Sequence, residues 1–433
     1  MTLLRTPPGT KDVLPTEAAE LRLIEDAVRT VFADFGYGEV WTPTVEYEEV
    51  LALSGEKAFL TGFRLLDEHG QVLLLRPDIT APIARLAGSR LRAGVPPHRM
   101  FSVSTIFRRL SSHRDRETEY RQAGVELLGS SLPEADAEVL AVACRALERA
   151  GLREYRIGVG QVAFFSGLLE ALGLSADLQA TLVRDLVGKD LVGYRLAVET
   201  AEGLSDSERA ALLEVPDLRG EADVLERACA LARGPRMEAA LAHLRAVHAR
   251  LVEYGHAQRL LFDLGIFRDL EYYTGLVFEI YAPGLGFTLG GGGRYDNLPA
   301  RFGADLPAVG FGLGLDRLHA ALLQQGADLR PAEPLVLLVG GLDRHVALAD
   351  RLRDACVGVF ALPGDVAPDA IPVLARQKDI YLLVEPAPAV GEGEGWRVSD
   401  LRRGPGRTTS ADGLAELILR LAAEGDPEPG GGS

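Results

Sequence analysis

Five short stretches of this chain set arginines, acids and glycines close together. They are RPDIT (Arg76–Thr80), FRRLSSHRDRETEYRQAGVELLG (Phe107–Gly129), FRDLEYYTG (Phe267–Gly275), GGGGRYDNL (Gly290–Leu298) and GFGLGLDRL (Gly310–Leu318). Guanidinium groups grip carboxylates and phosphates, carboxylates hold ammonium groups, and glycine lets a backbone approach a ligand. The chemistry on offer is the binding of a charged small molecule, a nucleotide included. Taken singly, each stretch reads equally well as glycine packed between strands and charge turned to solvent. The run Gly290–Gly293 admits either a ligand or a crossing strand, and it is no P-loop, because no Gly-Lys-Ser/Thr follows. Arg317 falls on a predicted helix whose Leu315, Leu318 and Leu322 face a core, beside the glycine-rich run, where an arginine serves an anion or the surface.

Positioning such groups takes a sizeable fold, and 433 residues suffice for about three domains of ordinary size. Hydrophobic residues at 47% and charged residues at 25% are the balance of a globular protein, so disorder is expected only in the tail GDPEPGGGS, residues 425–433. A formal net charge of -16 argues against gripping a nucleic-acid backbone, which takes lysine and arginine. Only four lysines occur: Lys11, Lys57, Lys189 and Lys378. Cys144, Cys229 and Cys356 are few, far apart and free of any CxxC, so neither a disulfide framework nor a thiolate zinc site is expected. A reducing cytoplasm is the expected compartment, since the N-terminus has no signal-peptide pattern and no run reaches the ~18 apolar residues of a membrane span.

A helix is predicted from Pro15, with Thr16 as its cap and Leu21, Ile24, Val28, Val31 and Phe32 on one face; Gly36 and Gly38 end it. QVLLLRPDIT reads as a strand. So does LVFEIY, where Leu276, Phe278 and Ile280 alternate with Val277, Glu279 and Tyr281 ahead of a Pro283-Gly284 turn, a hairpin pattern that favours an antiparallel sheet. From about 162 to 255 the pattern turns helical, with a capping box at Ser205–Glu208 and with Leu241, Leu244, His248 and Leu251 on a face that stops at Gly255. Past a Pro-containing linker, two apolar runs around a helical segment predict a small α/β domain at 334–424.

Together and in this order, the stretches resemble the catalytic core of class II histidyl-tRNA synthetase over nearly the whole chain. PPGTKDVLP looks like that family's N-terminal signature, FGYGEVWTPTVE like its dimer-forming motif 1, Phe107–Gly129 like motif 2 and GFGLGLDRL like motif 3. FRDLEYYTG stands where the histidine signature RGLDYY belongs. The resemblance implies an α+β fold in which helices flank a six-stranded antiparallel sheet, with core residues 1–328 interrupted by the helical insertion, and a dimer built on motif 1. It also implies a histidine pocket. In it Asp78 and Thr80, with Gln122, hold the α-amino group; Glu126 and Tyr273 line the imidazole side; Tyr295 closes over the ligand; Arg268 sits near the carboxylate. Arg108 and Arg317 keep the places of the motif 2 and motif 3 arginines that meet a phosphate.

The adenine half departs from the synthetase pattern. Leu110 replaces the adenine-recognising glutamate, Ser112 a proline, Asp115 the loop glycine and Thr118 an arginine, while Asp269 and Glu271 replace the glycine and aspartate of the histidine signature. Hydrogen bonds to charged groups are worth about 1.5 to 3 kcal/mol each. Losing two or three removes roughly 3 to 9 kcal/mol, on the order of two to six decades in rate. RPDIT, where synthetases read RPEGT, instead resembles RPDMT of a paralogous family, the regulatory subunits of ATP phosphoribosyltransferase.

That resemblance implies a non-catalytic protein of histidine biosynthesis. It would need no cofactor or metal, would bind histidine, and would join short-form catalytic subunits as a homodimer within a hetero-oligomer, supporting their activity and their feedback inhibition. Neither tRNA nor a membrane is an expected partner. The rival readings are a working histidyl-tRNA synthetase and a stand-alone amino-acid sensor or amino-acid-activating enzyme. The C-terminal hundred residues resemble a synthetase anticodon-binding domain, yet from Pro334 to Ser433 they carry a net charge of -5, which favours a dimer-stabilising appendage over an RNA-binding surface.

Overall fold

The computed structural model describes residues 4–55, 62–109, 117–266, 272–329, 335–340, 342–362, 367–378, 380–391 and 393–424. Leu110, Ser112, Asp115, Arg268, Asp269, Glu271 and the 425–433 tail lie outside the described residues. The chain divides into two compact units, Met1–Asp328 and Leu329–Ser433.

In the first unit, a nine-stranded sheet has six consecutive antiparallel strands at its centre, in the order His98–Phe107, Glu119–Leu128, Ala308–Gly314, Gly290–Arg294, Leu276–Tyr281 and Arg156–Gln161. Parallel pairs join this centre to Gly38–Glu39 on one side and Leu260–Asp263 on the other. Because paired residues share a face, the register sorts the side chains. One row runs Phe101, Val125, Phe311, Gly292, Phe278 and Val159. Helix Pro15–Asp34 packs on that side, setting the Phe32 ring edge-on to Phe101 at 5.4 Å and to Phe311 at 6.0 Å. Its Ile24, Val28 and Phe32 are fully buried, each worth about 1.5 to 3 kcal/mol. The opposite face carries the row Met100, Glu126, Gly310, Gly293, Val277 and Gly160, in which glycines leave space above the sheet.

The predicted first helix is present, but Thr16 does not cap it. Leu14 occupies the cap position, no side chain bonds there, and Pro15 opens the helix, where its missing N–H has no partner to lose. The Ser205–Glu208 capping box forms, and helix Pro235–Tyr254 ends at Gly255 with φ 78°. Between Val162 and Tyr254 the segment consists of α-helices joined by short turns, with one turn of 3-10 helix and the two-residue strand Arg219–Gly220. Among the described residues, no helix is long and apolar enough to cross a membrane.

The second unit holds a five-stranded sheet. Gly358–Ala361, Leu335–Leu338 and Leu382–Val390 run parallel, and Gly393–Asp400 and Arg407–Ser410 continue it antiparallel. Val336 and Leu338 enter one core with Trp396, and Leu337 enters another with Ile371 and Leu383. Burial on both faces is why the run LVLL shows no alternation.

Candidate functional site

Glu126 projects from strand Glu119–Leu128 onto the glycine face. Gly310 stands opposite it in register, and a Cβ there would lie 1.7 Å from Glu126 Oε2, so glycine is what gives the carboxylate room. Thr80, the first residue of helix Thr80–Arg90, donates its hydroxyl to Glu126 Oε1 at 2.7 Å, and the Tyr295 hydroxyl donates to Oε2. Asp78, two residues before Thr80, accepts from Ala81 N at 3.2 Å through Oδ1. Asp78 Oδ2 and Gln122 Oε1 are buried without a hydrogen-bond partner among the described residues. Such orphaned acceptors are costly unless something else satisfies them.

Tyr273 lies against Gly293, where a Cβ would come within 2.9 Å of its ring. Tyr272 links the aromatics, with centroids 4.9 Å from Tyr273 and 5.6 Å from Tyr295. Arg108 follows strand His98–Phe107 and donates through Nε to Pro77 O at 2.8 Å, next to Asp78. Arg317, on helix Leu315–Gln324, donates to Thr288 O at 3.0 Å and places its guanidinium 5.6 Å from the ring centres of both Tyr120 and Phe287, within cation–π range. Thr118, where the synthetase pattern has an arginine, is buried and directs its hydroxyl to Pro8 O at 3.2 Å, while its backbone N donates to Gly9 O. Position 118 thus fixes the PPGT loop.

Electrostatics single out the two carboxylates. Burial pushes Glu126 up to about 8, against the pull of the Tyr295 and Thr80 hydroxyls and with a further push from Asp78. Burial also raises Asp78 to about 6, and the Arg108 guanidinium limits the rise. At neutral pH Glu126 holds its proton while Asp78 is largely ionised, and the open acceptors on Asp78 and Gln122 suit a ligand that carries an ammonium group.

Behind the pocket lies a network that the motifs do not reveal. Arg294, adjacent to Tyr295, is buried and pairs with fully buried Asp136 through Nη2–Oδ2 at 2.7 Å and Nε–Oδ1 at 3.1 Å. His243, on helix Pro235–Tyr254, meets the same Asp136 Oδ2 at 3.1 Å. One carboxylate therefore ties the Tyr295 strand to the helical insertion. Its signal was an acid at helical spacing with Leu140, Ala143 and Leu147 on a buried face.

The architecture and the arrangement of this pocket define a class II histidyl-tRNA synthetase-like protein, and residues 9–318 match the family described as histidyl-tRNA synthetase. A histidyl-tRNA synthetase from Nostoc sp. PCC 7120 has the same fold, with a TM-score of 0.82 over 97% of this chain and all of its own, at 23% identity. Within that class, the chain belongs to the family of ATP phosphoribosyltransferase regulatory subunits. It is 40% identical over 405 residues to the ATP phosphoribosyltransferase regulatory subunit of Rubrobacter xylanophilus, covering 90% of this chain and 94% of that protein. The counterpart from Symbiobacterium thermophilum is 41% identical over 352 residues, 80% of this chain and 85% of the relative. The crystal structure of an ATP phosphoribosyltransferase regulatory subunit/histidyl-tRNA synthetase from Bacillus halodurans C aligns with a TM-score of 0.77 at 33% identity, covering 86% of this chain and 97% of that one.

Proposed function

We propose that the chain is a non-catalytic regulatory subunit that supports a short-form ATP phosphoribosyltransferase catalytic subunit and carries histidine feedback to it. Histidine is the ligand of the pocket. Its α-amino group meets Asp78, Thr80 and Gln122, its imidazole meets Glu126 and Tyr273, Tyr295 closes over it, and Arg268 takes the carboxylate. Arg108 and Arg317 remain as an anion-binding pair. The protein works in the cytoplasm as a homodimer within a hetero-oligomer. The observation that carries this reading is the asymmetry of the site: two buried carboxylates, with open acceptors on Asp78 and Gln122, at one end, and at the other a Thr118 committed to holding Pro8 and Gly9.

The test is histidine-dependent ATP–pyrophosphate exchange run beside calorimetric titration with histidine. Binding without exchange is expected, together with higher activity and histidine inhibition when the chain is mixed with a short-form catalytic subunit. Robust exchange would instead make the chain a working histidyl-tRNA synthetase, a reading that the aromatic-flanked Arg317 favours.

A further inference from the structure

A second cavity, of about 750 Å³, opens on the same face of the large sheet as Glu126 but three strands away, and none of its lining residues belongs to the pocket described above. Its floor is set by the registered residues Glu279, Gly158 and Leu261, which stand side by side on adjacent strands. The insertion supplies part of its wall through Leu186, Lys189 and Leu191. The volume lies in the range of small-molecule sites, and apolar surface from Leu261, Ile266 and Pro283 dominates the walls.

The charged groups at this cavity are not equivalent. Arg219 is paired with Asp263, donating through Nε at 2.6 Å, and Asp217 faces Arg195 at 3.4 Å. Tyr281 donates its hydroxyl to Glu279 Oε2, and Oε1 accepts no hydrogen bond among the described residues. Lys189 is exposed and makes no ion pair or hydrogen bond with its side chain among the described residues. It follows Gly188, the residue that ends helix Ala176–Val187, and adopts φ 57°, a left-handed conformation that a side chain enters at a cost and that glycine or asparagine ordinarily fills. Arg156, also exposed, donates only to Gln258 O among the described residues. Once the internal pairs are set aside, two cations and one acceptor-only carboxylate face an apolar chamber, in a chain with four lysines and a net charge of -16.

We propose that this cavity is a second ligand site, for an amphipathic organic anion: an apolar or aromatic body in the chamber, an anionic group at Lys189 and Arg156, and an N–H or O–H donor toward Glu279 Oε1. A cation-bearing ligand would leave Lys189 and Arg156 opposed to it, and a wholly apolar one would bury the open Glu279 oxygen without a donor.

The probe is 1-anilinonaphthalene-8-sulfonate, which joins a sulfonate, an N–H and an aromatic body, titrated by fluorescence into the full chain. One saturable site is expected. Lys189→Glu should weaken it about ten-fold or more, as befits the loss of a charge-assisted hydrogen bond, without changing the melting temperature. Leu261→Trp, which fills the chamber, should abolish it, and saturating histidine should not displace the probe. The proposal is overturned by the absence of saturable binding, by equal affinity in Lys189→Glu, or by displacement with histidine. Because histidine binding is measured separately, failure here leaves the reading of the first pocket untouched.

Discussion

Gly310 and Glu126 face each other across a single register pair, and a methyl group on the glycine would occupy the space of the Glu126 carboxylate, 1.7 Å from Oε2. It would also fall 2.4 Å from the Val125 carbonyl oxygen, so the clash is with backbone as well as with a movable side chain. Gly310→Ala should therefore lower stability by about 1 to 3 kcal/mol, as overpacking does. Histidine affinity should fall at least about ten-fold beyond what the lost stability explains, because Glu126 must leave Thr80 and Tyr295. Calorimetry at a temperature where the variant is fully folded separates the two effects.

Glu126 gives stability a definite pH dependence. Its ordinary value is 4.5 and burial raises it to about 8. Between those values the unfolded chain has released the proton and the folded chain retains it, so stability falls as pH rises through this window and levels off above it. The drop should be roughly 3 to 5 kcal/mol, with Asp78 adding a smaller fall of the same sign between 3.8 and about 6. In Glu126→Gln the larger component should vanish, leaving that variant more stable than the parent at pH 8. Urea denaturation at pH 5.5, 7 and 8.5 checks the sign.

Asp136 stands between Arg294 and His243, and its removal strips the buried guanidinium of its bidentate partner, leaving only Asp296 Oδ1 and Ser130 O on Nη1. Asp136→Ala should cost about 3 to 5 kcal/mol. The double variant Asp136→Leu with Arg294→Met should recover much of that loss, since an apolar replacement of a buried pair is often tolerated. Denaturation of Asp136→Leu, Arg294→Met and the double variant gives the coupling energy directly.

Restoring the synthetase arginine at position 118 should not restore nucleotide chemistry. Thr118 is buried against Gly9, where even a Cβ would lie 2.3 Å from the threonine Oγ1. Thr118→Arg should displace the PPGT loop and cost about 1 to 3 kcal/mol, with no gain in ATP affinity. A thermal melt and an ATP titration read the two outcomes separately.

Much of the sheet was legible because its strands pair antiparallel and declare their turns, as LVFEIY does before Pro283 and Gly284. Its alternation was a weaker guide. Val277 is as buried as Leu276 and Phe278, because material covers both faces of the strand there. The run Gly290–Gly293 was ambiguous for a physical reason: glycine has no side chain to report which neighbour needs the space, and the neighbours, Tyr273 at Gly293 and the adjacent strand at Gly290 and Gly292, belong to other segments. The pocket residues follow from motif order, whereas Asp136 and His243 carry no motif, and they meet Arg294 of the GGGGRYDNL stretch only in three dimensions. Thr16 misled because a capping-type residue next to Pro15 looks like a start signal, while the helix begins on the proline itself.

The two faces of the large sheet answer to different demands. Phenylalanine and valine on one side hold the fold together, and the glycines, acids and tyrosines on the other line the candidate pocket. A lineage can therefore erode reactivity on the second face, one substitution at a time, without unfolding the first. An ancestral catalyst that drifts in this way persists as a folded receptor for its former substrate, and selection can then act on what that receptor tells its neighbours.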